Sequence, residues 1–159
     1  MKPLLSDELA RFLESGLSIV VGVRNAALRP DGATACAVRV HDDRVHLTVF
    51  MYTANASRLA SSLADCPQVA LALDLPTTHR ACQVKGTVVE TRPALEAERP
   101  EVERQLDAFC RDLEELGIPR VMFAGWKTWP CTALVVRATE LFEQTPGPGT
   151  GERLVCVSP

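Results

Sequence analysis

LSIVVGVRNAALRPDGATACAVRVHDDRVHLTVF, residues 17–50, contains three apolar runs separated by turn chemistry. The first, LSIVVGVR at 17–24, is β-branched and too short for a typical helix, and Pro30-Asp31-Gly32 turns the chain into ATACAVRV at 33–40. These two runs are expected to pair as antiparallel strands. Asp42-Asp43 then makes a tight connection to 45–50, where Val45, Leu47 and Val49 alternate with His46 and Thr48. That alternation predicts a half-buried strand, with one face in the core and the other in water.

Upstream, residues 6–15 read as a helix: Ser6 is its cap, Asp7 and Glu8 suit its positive end, Leu9, Phe12 and Leu13 form one stripe, and Gly16 stops it. Downstream, a short helix spans 55–64, with Thr53 and Asn55 as cap candidates and Leu59 and Leu63 one turn apart. Strands follow at 68–74 and 81–90. In the second, Gln83, Lys85 and Thr87 share a face opposite Cys82, Val84 and Val88. Residues 93–116 form an amphipathic helix on Val102, Leu106, Phe109, Leu113 and Leu116, ended by Gly117 and Pro119. A sixth strand occupies 132–142, and the Gly/Pro-rich 144–151 opens a tail, 144–159. Six strands joined mostly by tight turns make a mainly β, α+β chain: a six-stranded antiparallel barrel with peripheral helices. No Gly-x-Gly-x-x-Gly follows a strand, so a dinucleotide-binding sheet is excluded.

The 159 residues fit a single domain, 1–159, and 47% hydrophobic against 23% charged is the mixture of a chain that buries a core. Seventeen basic and twenty acidic residues leave a net charge of -3, which argues against nucleic acid as a partner. No apolar run reaches the roughly 18 to 20 residues that cross a bilayer, and Asp7, Glu8 and Arg11 interrupt the first segment, so no membrane association and a cytoplasmic location are expected. The six cysteines form no Cys-x-x-Cys, and most lie in apolar stretches, which predicts reduced, largely buried thiols. Three histidines without His-Glu-x-x-His predict no metal site, and no Gly-x-Ser-x-Gly elbow proposes a hydrolase. Any hard chemistry is left to a bound cofactor.

YTANASR, 52–58, stands at the end of a strand and the start of a helix. A helix start offers unpaired N–H groups and the positive end of the dipole, to which Thr53, Ser57 and Arg58 add donors suited to a phosphate. A capped helix bearing a solvated arginine presents the same residues.

Tyr52-Thr53, Ser57-Arg58, Cys66-Pro67, Val69-Ala70-Leu71 and Val84-Lys85-Gly86, in that order, resemble the pyridoxamine 5'-phosphate oxidase-like FMN-binding split-barrel family over residues 5–91, with a weaker echo in 132–154. The resemblance implies a split-barrel homodimer with FMN at the subunit interface, and Trp126 and Trp129 are candidates for that interface. It places the FMN contacts on Thr34, Arg39, Tyr52, Thr53, Ser57, Arg58 and Gln83. Leu59 stands where the family has a lysine, Thr34 where the true oxidases have arginine, Arg39 where they have lysine, and Ala81 where they have glutamine, two residues before Gln83. The tail lacks the oxidases' arginine- and histidine-bearing motif, so pyridoxamine phosphate oxidation is not expected. Two readings follow: an FMN-dependent oxidoreductase acting on an unknown small substrate, with no catalytic side chain assigned, or a non-catalytic carrier of flavin or haem on the same barrel.

Overall fold

The structure, a computed structural model, describes residues 4–156, with the side chain of Cys156 outside the described set. The chain folds as α1 (Asp7–Leu13), β1 (Ser18–Arg24), β2 (Pro30–Thr34), β3 (Ala37–Val40), β4 (His46–Tyr52), α2 (Thr53–Asp65), β5 (Gln68–Leu75), β6 (Arg80–Pro93), α3 (Arg99–Glu115), β7 (Cys131–Glu143) and β8 (Arg153–Cys156). Short 3-10 turns precede and follow α3, at Glu96–Glu98 and Arg120–Phe123. Every strand pairing is antiparallel, in the order β2-β1-β5-β6-β7-β4-β3. The first and last strands of that order are consecutive in the chain but not paired with each other, so the curled sheet is a split barrel whose split the chain bridges where one runs into the other.

The closure separates what the sequence pattern shows as one strand. The Ala35 N–H donates to the Ile19 carbonyl of β1 at 3.0 Å, and the next N–H, of Cys36, donates to the Phe50 carbonyl of β4 at 2.7 Å. Successive amides point to opposite sides of an extended chain, so a bend between these residues hands the strand from one neighbour to the other. The split of 33–40 and the addition of β8, which the tail supplies, account for the two strands beyond the expected six. β8 pairs with the second half of β7, whose first half pairs with β4. Gly86 sits at a register shift between β6 and β7, where a Cβ would run into the Arg137 carbonyl.

Inside the barrel lies the larger core, from Ile19 and Val21 through Leu47, Val49, Leu71 and Val84 to Leu134 and Val136, plugged by Leu13 of α1 and Leu59 of α2. A second core lies outside the barrel, where Val102 and Leu106 of α3 cover Ala37, Phe50 and Ala133. The expected half-buried strand at 45–50 is therefore buried on both faces. Its alternation holds for the barrel-facing set, but Phe50 packs under α3 and the Thr48 side chain is buried, with its Oγ1 2.8 Å from His41 Nε2. Nothing local to 45–50 announces a helix encoded fifty residues later.

That helix also satisfies the edge of β3. Gln105, 1% exposed, accepts from the Val38 N–H at 3.1 Å and donates to the Val38 carbonyl at 2.7 Å, so its amide imitates one residue of a neighbouring strand. Glu14, just after α1, accepts the next edge donor, the Val40 N–H, at 2.7 Å. The close approach of the α1 exit to α3 requires Gly16: its φ is +97°, and a Cβ there would stand 2.6 Å from both the Ala108 Cβ and the Gln105 carbonyl oxygen. Cys36, Cys82 and Cys131 are buried free thiols, while Cys66 and Cys110 are half-buried and free. Among the described residues, no helix is long and apolar enough to cross a membrane.

Gln105→Leu keeps much of the volume and unpairs a buried N–H and a buried carbonyl. It is expected to lower stability by about 2–4 kcal/mol, measured as a lower urea midpoint with an unchanged denaturant slope.

Candidate functional site

The β2–β3 corner, the end of β4 and the start of α2 form one wall of a cleft of about 410 Å³. Thr34, Cys36, Tyr52 and Asn55 line this wall; Phe109 of α3 and Trp126 from the following loop line the other, with Lys127 and Thr128 beside them. Phe109 and Trp126 are stacked at 6.3 Å between ring centroids and 16° between planes, and Phe123 meets the Trp126 edge at 4.8 Å. The cleft thus has an apolar aromatic wall facing a polar one, at a volume within the roughly 300–1,000 Å³ range of small-ligand sites.

Helix α2 begins one residue earlier than a Thr53 cap requires. Thr53 is its first residue, and its N–H and its hydroxyl both donate to the Pro130 carbonyl at 3.0 Å. Tyr52 precedes the helix and supplies no side-chain cap. Asn55 turns back across the corner, and its Nδ2 donates to the Thr34 carbonyl at 3.2 Å.

The seven sequence-predicted contacts do not all meet. Thr34 and Tyr52 line the cleft. Thr53 stands behind it, with the Thr132 hydroxyl 3.4 Å from its own. Ser57 faces away, into a second groove of about 520 Å³ between α2 and the β6–β7 ribbon, shared with Thr91 and Thr132. Gln83 lies far along β6, paired with Ala72 and Phe142, whereas the part of β6 beside this groove is paired near Thr132 and Leu134. At about 3.3 Å per residue, the eight residues from Gln83 to Thr91 separate them by roughly 26 Å.

Both predicted arginines are engaged by carboxylates. Arg58 donates to Asp31 Oδ1 at 2.7 Å and to the Gly32 carbonyl, at the β2 side of the corner. Arg39 reaches Glu98 Oε1 at 2.6 Å. Glu98 is the organising residue that sequence reasoning missed. Its carboxylate, 6% exposed, also takes a two-pronged contact from Arg92 at 2.8 Å for each bond and accepts the Leu95 N–H at 2.9 Å. This clamp ties β3 and the end of β6 to the start of α3. One acid among the many of 93–116 carries no sequence signal that it is the buried one. Among the described residues, no three histidine, cysteine or acidic side chains converge as a metal site.

No protein-family model matches the chain, and no curated protein matches it. Solved structures do match in shape. An F420 reductase superposes with a TM-score of 0.54 at 18% identity, covering 81% of this chain and 91% of its own. A candidate pyridoxamine 5'-phosphate oxidase from Lactobacillus delbrueckii superposes at 0.53 with 16% identity, over 89% and 99%. An FMN-binding protein from Syntrophomonas wolfei superposes at 0.53 with 11% identity, over 95% and 87%. The fold is the pyridoxamine 5'-phosphate oxidase-like split barrel. At these identities the likeness is one of fold.

Hydrogen bonds from Arg92 hold the Glu98 carboxyl at about 2, below its ordinary 4.5, with the Leu95 N–H and Arg39 adding to the effect against the cost of burial. A carboxyl depressed in the folded state contributes stability that is complete above about 4.5 and is lost as pH falls through about 2. Glu98→Gln is expected to cost about 2–3 kcal/mol at neutral pH, at the low end for a broken buried pair because both arginines are partly solvated. Urea titrations across pH check this: the gap between wild type and variant closes between pH 4.5 and about 2.

Proposed function

We propose that this split barrel binds FMN in the cleft at the β2–β3 corner and acts as an oxidoreductase on a small substrate. The observation that carries the reading is the cleft, lined by the stacked aromatic pair Phe109 and Trp126 and by Thr34, Tyr52 and the start of α2, in a fold shared with an FMN-binding protein. A planar isoalloxazine suits the apolar wall. The N-terminal end of α2 favours a phosphate, and Lys127 adds a cation at the rim.

Bound FMN would supply two-electron transfer. The chain's own part is to orient and to exclude water. The aromatic wall dries one face, the Thr34 and Tyr52 side borders the other, and the small core under α3 that includes Cys36 keeps the corner fixed. Arg58 is the residue that changes partner. Its exposed pair with Asp31 is worth at most about 1 kcal/mol, whereas a charge-assisted phosphate contact is worth about 1.5–3 kcal/mol, so the phosphate wins the guanidinium when the two compete. Like charge then drives Asp31 away.

A second copy of the chain completes the site in this reading. Leu116, Val121, Met122 and Trp126 are each at least half exposed at the α3 end of the cleft, an apolar surface suited to a partner subunit. Trp129 is not part of that surface: its Nε1 donates to Glu96 at 3.0 Å, and the ring packs near Arg99.

Titration of the purified protein with FMN and with riboflavin, followed by flavin absorbance and Trp126 fluorescence, tests the reading. Arg58→Ala is expected to weaken FMN about ten- to a hundredfold and leave riboflavin unchanged, while Asp31→Asn tightens FMN about two- to fivefold. Equal FMN affinity in wild type and Arg58→Ala overturns the phosphate assignment, and a Soret band in the isolated protein favours haem. Bleaching of the bound flavin by a small hydride donor under anaerobic conditions tests turnover. Light scattering is expected to give twice the 17.3 kDa chain mass.

A further inference from the structure

Cys36 and Cys131 are far apart in sequence and adjacent in space. Cys36 occupies the bend between β2 and β3, and Cys131 is the first residue of β7, so neither is locked within a strand interior. Both sulfurs face one acceptor, the Thr128 carbonyl, at 3.8 Å from Cys36 and 3.1 Å from Cys131. The two side chains belong to the same small core under α3. Only Cys36 also lines the cleft, alongside Lys127 and Thr128.

We propose that Cys36 and Cys131 are a redox-active dithiol, with Cys36 attacking a low-molecular-weight disulfide that enters the cleft and Cys131 resolving the mixed disulfide. In the first step the Cys36 thiolate forms an S–S bond to one sulfur of the small disulfide and expels the other as a thiolate. In the second, Cys131 gives up its proton and attacks the Cys36 sulfur, expelling the second small thiol. The protein loses two protons and two electrons, and the small disulfide takes them up to become two thiols. The reaction requires no flavin, and because it uses the cleft in which FMN is proposed to sit, it belongs to the flavin-free protein.

The division of labour follows from the surroundings. The Cys131 side chain beside it, with the Tyr52 backbone, brings the Cys36 thiol below its ordinary value against the effect of burial. The same contact, together with burial, raises Cys131. Cys36 is the attacking thiol because it alone of the two lines the cleft, where a small disulfide can reach it, while Cys131 lies in the core under α3. Cys82 is the internal control: burial, with a further push from Glu143, raises it to about 12, and it lines no part of the cleft.

Incubating the reduced full chain with oxidised glutathione, alkylating free thiols and mapping peptides by mass spectrometry tests the assignment. The expected result in wild type is a Cys36–Cys131 cross-link, lighter by two hydrogens, formed after a transient glutathione adduct on Cys36. Cys131→Ser and Cys131→Ala keep that adduct, and Cys36→Ser forms none on Cys131 at about a tenfold longer exposure. Should the variants not fold by circular dichroism, the wild-type time course alone decides. A cross-link between other cysteines, adducts confined to Cys66 and Cys110, or a Cys36 adduct that persists without a cross-link each overturns the proposal.

Discussion

Two consecutive backbone hydrogen bonds, Ala35 to Ile19 and Cys36 to Phe50, hold this architecture together. The handover joins the two end strands of the curled sheet, β2 and β3, without pairing them, and the β3 edge is satisfied instead by the Gln105 amide and the Glu14 carboxylate. The corner is built from small residues, with Ala33, Ala35, Cys36 and Ala37 in succession apart from Thr34, so the chain can turn sharply between two packed strands. Thr34 and Cys36 are consequently brought against Tyr52, and the start of α2 is brought against both. The cleft is a by-product of closing the barrel.

The charged residues around the corner divide by burial. The Glu98 clamp is buried and structural; it spends Arg39 and Arg92 on holding α3 over the outer face of the sheet. The Asp31–Arg58 pair is exposed, with side chains 35% and 53% accessible, so it can be exchanged for a competing anion at little cost. The two arginines look equivalent in the sequence. Their partners make one a fastener and leave the other available.

The strand plan was legible because period-two alternation and turn residues are local signals: β1, β4 and β5 fall where their patterns put them. The break at Ala35–Cys36 was not legible, since an amide that changes partner leaves no mark on an apolar run. The double burial of β4 was hidden for a related reason, because α3 supplies the second cover from a distant part of the chain. For the site, the structure brings Thr34 and Tyr52 to one cleft and leaves Ser57 and Gln83 away from it. Ser57 lies on the far side of α2 and Gln83 toward the opposite end of a fourteen-residue strand. Phe109 and Trp126 read as helix core and loop because their stacking depends on how the chain returns after α3.

Function here depends on whether a flavin sits in the cleft at the β2–β3 corner. A crystal structure of the protein with FMN tests it most directly. The expected result is the ring system between the Phe109–Trp126 wall and Thr34 with Tyr52, the phosphate at the start of α2, and the Arg58–Asp31 contact broken. FMN lodged instead in the groove between α2 and the β6–β7 ribbon, or bound with that contact intact and the phosphate in solvent, would contradict it.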